Sequence, residues 1–183
     1  MSQSDQTTSE PGAAANGTEE TGADPRIITV AATPAAVVSG TNVPFADIAG
    51  FYDKAYPAIA EVLEHHQLTP IGPAYGLMTR MPTETMDLEV GFALDHALPV
   101  ARKSAGGVQV EPSSLPGGLV ATTTYVGPYE GLGGAWESFM SAIPGTGHTP
   151  RMPFWEVYVT EPGPDADPAT MRTDLYVSVG PNS

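Results

Sequence analysis
The sequence contains no cysteine and few bases. Without cysteine there is no disulfide, no thiolate metal ligand and no cysteine nucleophile, which suits a reducing compartment. Lys and Arg number 7 against 21 Asp and Glu, a net charge of −14. Nucleic-acid binding depends on bases that displace phosphate counterions, so direct nucleic-acid binding is not expected. No apolar run approaches the roughly 20 residues of a membrane helix. The N-terminus has neither the basic nor the apolar region of a secretory signal. Motifs for common cofactors are also missing. There is no phosphate-binding loop, no dinucleotide fingerprint and no nucleophile elbow around Ser113, Ser114 or Ser138. His65, His66, His96 and His148 lack partners at ligand spacing, and Glu161, Asp165 and Asp167 lack the spacing of a calcium loop. The expectation is a cytoplasmic protein with no cofactor, no metal and no membrane contact.

What is present divides in two. Residues 1–25 hold Ser, Thr, Gly, Ala and five acids, with no base and no aromatic residue. Such a segment cannot bury enough apolar surface to offset its ordering entropy, and reads as a disordered acidic tail. The 41% apolar content of the whole sequence supports a folded protein, and residues 26–183 read as one folded domain. RIITVAATPAAVVSG reads as one strand with an interruption at Pro34. FADIAGFYDKAYPAIAEVLEHH has helical spacing, and Pro57 should kink or split that helix. PAYGLMTRM and TMDLEVGFAL read as two strands, with ARKSAGG as a loop after them. The order then recurs: strand in QVEPSSLPGGLVATTTYVG, helix in PYEGLGGAWESFMSAI, strands in MPFWEVYVTE and MRTDLYVSV. Phe45, Ile48, Gly50, Tyr52 and Ile59 match Tyr129, Leu132, Gly134, Trp136 and Ile143 at a constant offset of 84. The fold class is therefore α+β. Tandem duplicated β-α-β-β units, about residues 26–99 and 106–180, are related by pseudo-twofold symmetry. They share an antiparallel sheet with two helices and a central ligand cleft.

Four segments in this order, GPAYGLMTR with MDLEVGFAL, GPYEGLGGAWESF, FWEVYVTEPG and RTDLYVSV, resemble the GyrI-like small-molecule-binding domain. This is the effector-binding domain found behind helix-turn-helix modules in AraC- and MerR-type multidrug regulators. The resemblance implies two tandem β-α-β-β units and a cleft for bulky apolar, often cationic or planar compounds. It places a glutamate at Glu156 and a tyrosine at Tyr176 in that cleft. It also brings rivals: some relatives are hydrolases of cyclopropane-bearing genotoxic compounds, and others bind DNA gyrase. The sequence holds no helix-turn-helix segment, so a complete transcription regulator is not expected, and the stand-alone binding of a small molecule is.

Glu156 stands among aromatics in FWEVYV, where it could face water, balance a buried cation, act as an acid or base, or await a cationic ligand. Strand alternation puts Phe154, Glu156 and Tyr158 on one face and Trp155, Val157 and Val159 on the other. The expectation is that Val157 and Val159 face the helices, and that Phe154, Glu156 and Tyr158 line the groove on the opposite side. Tyr176 is placed there too, with its repeat counterpart Glu89. Tyr52 and Trp136 are counterparts in the two helices. Tyr75 and Met78 lie on the strand expected beside Glu156, where a thioether suits a promiscuous surface. The reading is a binding protein for a small hydrophobic or cationic ligand, as a monomer or weak dimer. A hydrolase with Glu156 as general acid or base, and a protein-interaction module acting on a partner such as gyrase, are the alternatives.

Overall fold
The computed structural model describes residues 24–161 and 163–182, so the tail reading for residues 1–25 lies almost wholly outside the described residues. In chain order the elements are β1 (Arg26–Val30), β2 (Thr33–Pro44), α1 (Ile48–His65), β3 (Pro70–Met78) and β4 (Thr85–Leu94). Then come β5 (Arg102–Lys103), β6 (Gln109–Leu115), β7 (Gly118–Val126), α2 (Leu132–Ala142), β8 (His148–Tyr158) and β9 (Arg172–Pro181). The duplication is visible in this order as β2-α1-β3-β4 and β7-α2-β8-β9. Among the described residues, nine strands join one antiparallel sheet in the order β1-β7-β9-β8-β3-β4-β2-β6-β5. Among the described residues, no helix is long and apolar enough to cross a membrane.

The halves meet where β3 pairs with β8. There Gly76 opposes Glu156, with Tyr75 opposite Val157 and Leu77 opposite Trp155. Aligning PAYGLM with PFWEVY also makes Gly76 the repeat counterpart of Glu156. One pair is thus both cross-strand neighbour and repeat counterpart, so the pseudo-twofold axis passes between Gly76 and Glu156.

Residues 26–40 are two strands rather than one. The break falls at Ala31 and Ala32, and Pro34 is an ordinary member of β2. Pairing with β4 begins only at Ala35, so the missing N–H of Pro34 interrupts no ladder on that side. β1 pairs with β7 from Arg26↔Thr122 to Val30↔Gly118, and β2 pairs with β6 from Thr33↔Leu115 to Val37↔Glu111. The register is the same across the break. A Cβ at Gly117 would meet the backbone nitrogen of Ala32 at 2.5 Å, so the two bends nest on each other. Residues 26–44 therefore reach β7 at one end of the sheet order and β4 at the other. The sheet closes on itself.

Closure gives the sheet an inner face with its own core: Ala35, Val37, Tyr75, Leu77, Val120 and Trp155 are all buried there. The helices cover the outer face. α1 buries Ala55, Ala58, Ile59, Val62 and Leu63, the spacing of a single helical stripe, on Val38, Leu88 and Val90. It runs unbroken through Pro57, contrary to the expected kink or split. The ring of Pro57 is exposed, and the stripe on the other side of α1 holds the helix to the sheet. α2 sets Leu132 and Phe139 over Phe154, Leu175 and Val177.

This arrangement reverses one expectation. Phe154 lies under α2, at 5% exposure, and Trp155 and Val157 face the inner core. Glu156 and Tyr158 share the face of Phe154 and so point toward the helices. Val159 lies just beyond β8 and is partly exposed. The pattern separated the two sets of side chains but could not say which set met the helices, since both faces are buried.

Candidate functional site
Glu156 stands on the axis between the two helices. Each repeat supplies one aromatic from its helix: Tyr52 from α1 and Trp136 from α2. The indole Nε1–H of Trp136 donates to Glu156 Oε1 at 2.6 Å, and the hydroxyl of Tyr158 donates to Oε2 at 2.7 Å. Tyr158 and Tyr52 are joined hydroxyl to hydroxyl at 2.9 Å. The proton of Tyr158 is already committed to the carboxylate, so the direction is Tyr52 to Tyr158 to Glu156. Glu156, Trp136, Tyr52 and Tyr158 are each only partly buried.

The rings around this chain meet edge to face. Tyr52 and Tyr158 are 5.9 Å apart at 82°, and Tyr129 and Tyr158 are 6.0 Å apart at 80°. Tyr56, one turn after Tyr52, packs 5.6 Å from it and donates to the carbonyl of Tyr75. Trp136 rests on Phe154 at 4.9 Å. Tyr129 sits in a short turn, Tyr129–Gly131, that Tyr125 holds by donating to the carbonyl of Pro128 at 2.8 Å. Tyr129 is 38% exposed and forms the outer wall. It was not among the expected site residues, nor was Tyr56. The signal for Tyr129 was the repeat match to Phe45, an aromatic at the entrance of each helix.

Gly76 explains how two phenols fit above the axis. A Cβ there would run into the hydroxyl of Tyr52 and come within 2.9 Å of that of Tyr158. One repeat supplies the carboxylate, and the other leaves its counterpart position empty for the phenols.

Removal from water pushes the Glu156 carboxyl above its ordinary value of 4.5, partly offset by the hydrogen bonds from Tyr158 and Trp136. Burial, together with the negative charge of Glu156, raises the phenols of Tyr52, Tyr56 and Tyr158 well above 10.0, so they remain protonated donors. Among the described residues no ion pair reaches Glu156.

Of the expected site residues, the structure gathers Glu156, Tyr158, Trp136 and Tyr52, with Phe154 as their floor. Met78 is on the same face, opposite Phe154 in the ladder and buried in the α2 core. Tyr176, Tyr75 and Glu89 are not at this site. They belong to the inner face, where Tyr176 stacks on Trp155 at 5.4 Å and 5°, and Glu89 accepts a hydrogen bond from Ser113. They were grouped with Glu156 on the assumption of a single open groove, and closure of the sheet separates the two faces.

The family model of the GyrI-like small-molecule-binding domain matches residues 23–179. No curated protein matches the sequence. Solved structures share the fold at low identity. The C-terminal domain of EcmrR is 16% identical with a TM-score of 0.71, covering 87% of this chain and 98% of that one. SAV2435, solved bound to tetraphenylphosphonium, is 16% identical with a TM-score of 0.60, covering 86% and 94%. A hydrolase from Listeria innocua is 15% identical with a TM-score of 0.59, covering 86% and 92%.

Proposed function
The chain belongs to the GyrI-like small-molecule-binding family, and from that premise we propose that it binds bulky, apolar, cationic or planar compounds at the aromatic cluster around Glu156. The observation that carries this reading is a partly buried carboxylate on aromatic walls with no cationic partner among the described residues. A desolvated charge of this kind is costly when alone and is relieved by an opposite charge. The faces of Tyr52, Tyr129, Tyr158 and Trp136 add attraction for a cation through their quadrupoles. Each carboxylate oxygen accepts one hydrogen bond and keeps a second lone pair, so a cation can approach without displacing Trp136 or Tyr158. A neighbour of the same fold was solved with a bulky aromatic cation, which agrees with this chemistry.

The test compares methyltriphenylphosphonium with its near-isosteric neutral counterpart, triphenylphosphine oxide, in fluorescence titrations. Glu156→Gln should weaken the cation tenfold or more, about 1.4 kcal/mol, and leave the neutral compound nearly unchanged. Equal losses for both would remove the charge from the account.

A second reading uses the same atoms. The relay from Tyr52 through Tyr158 to Glu156 joins a carboxyl of raised pKa to a phenol, an arrangement suited to general acid and base catalysis. Hydrolytic opening of a strained ring is the reaction it would serve. Incubation with a cyclopropane-bearing alkylator separates the two: ring-opened product in excess of protein favours turnover, and stoichiometric binding without product favours capture.

A further inference from the structure
A second carboxylate, Glu89, borders an open groove. A space of about 400 Å³ lies against Glu89, Ser113 and Thr79 on its polar side and Leu77, Pro116 and Met152 on its apolar side. It opens on the inner face of the sheet: Leu77 is cross-strand partner to Glu89 and belongs to the inner core, on the opposite side from Gly76 and Glu156. We propose that this cavity is a second binding site, independent of the Glu156 cluster, and that it takes a small aliphatic ammonium ion.

The charge comes first. Glu89 accepts a hydrogen bond from Ser113 at 2.9 Å, and among the described residues no ion pair reaches it. A second carboxylate is close by: Ser39, the cross-strand partner of Glu89, donates to Glu111 at 3.4 Å. Among the described residues no Lys or Arg lines the space. Tyr75 belongs to the same inner face without lining the space. It is 1% exposed, and among the described residues its hydroxyl has no hydrogen-bond partner. The charge of Glu89 adds to burial in holding its proton on, which puts the phenol within electrostatic reach of the carboxylate.

Carboxylates and hydroxyls together accept N–H donors, which selects an ammonium over a quaternary cation. Among the described residues no aromatic ring lines the space, so it lacks the rings grouped around Glu156, and Leu77, Met152 and the prolines favour an aliphatic chain. No group of three His, Cys, Asp or Glu stands together among the described residues, which is fewer carboxylates than a dedicated divalent site gathers. The volume falls at the small end of ligand pockets, room for a short-chain amine.

The experiment titrates n-hexylammonium into the protein by calorimetry, with methyltriphenylphosphonium as competitor. Glu89→Gln should weaken hexylammonium at least tenfold. Met152→Trp, at a residue 38% exposed on the rim, should weaken it by filling the space, with circular dichroism reporting an intact fold. Glu156→Gln should leave it within twofold, and the phosphonium should not compete. Hexylammonium binding within twofold of the parent in Glu89→Gln, or displacement by the phosphonium, would overturn the proposal.

Discussion

Both oxygens of Glu156 are hydrogen-bonded and, among the described residues, its charge has no counterion, so the residue is restrained in position without being neutralised. Its folded pKa lies above the ordinary 4.5, so between those values the folded state holds a proton that the unfolded state has lost. Its contribution to stability therefore falls as pH rises from about 4.5 through the raised value. Glu156→Gln removes that dependence: thermal melts should show the variant more stable than the parent at pH 8, with the gap closing toward pH 4.5. A gap that stays constant would mean that Glu156 ionises normally. Gly76 is the second residue on which the site depends. Gly76→Ala drives a methyl into the hydroxyls of Tyr52 and Tyr158, and should cost about 1–3 kcal/mol in denaturant unfolding while also weakening methyltriphenylphosphonium. At this scale much was legible in the sequence. A carboxylate amid aromatics and a glycine at its repeat position are visible as letters. The hydrogen bonds that tie Trp136 and Tyr158 to Glu156 depend on side-chain directions that no pattern encodes.

Among the elements, α1 shows local preference overridden by packing. A proline inside a helix removes a hydrogen bond and crowds the preceding turn, at about 3 kcal/mol, yet α1 continues because Ala58, Ile59, Val62 and Leu63 beyond it are buried on the sheet. Pro57 is exposed, so Pro57→Ala restores the missing N–H without loss of packing. After allowance for the stiffer unfolded chain that proline provides, the change should stabilise by about 2 kcal/mol in denaturant unfolding. No gain would mean that the turn around Asp53 has already relaxed. The repeat order β-α-β-β was readable because hydrophobic period switches between 2 and 3.6 along each half. The break at Ala31 and Ala32 was not, since Pro34 is the stronger punctuation mark and the true bend is made by nesting against Gly117. The facing of β8 was not readable either. Period-2 alternation sorts Phe154, Glu156 and Tyr158 from Trp155 and Val157, but in a closed sheet with helices outside both sets lie against a core.

At the scale of the whole molecule, the closed sheet gives two faces with separate chemistry. The outer one holds Glu156 under aromatic rings contributed by both repeats, and the inner one holds Glu89 beside an open space of about 400 Å³. The net charge of −14 favours the approach of cations to either face, an attraction that salt should weaken. Closure was beyond the sequence because it rests on a register shared by residues distant in the chain, Arg26 with Thr122 and Val37 with Glu111. The central claim is that the ionised form of Glu156 holds a cation. It is tested most directly by the dissociation constant of methyltriphenylphosphonium between pH 4 and pH 8, for the parent and for Glu156→Gln. Affinity in the parent should rise with pH as Glu156 loses its proton and then level off, with weak and flat binding in the variant. Binding in the parent that is equally tight at pH 4 and pH 8, or a variant that matches it throughout, would contradict the account.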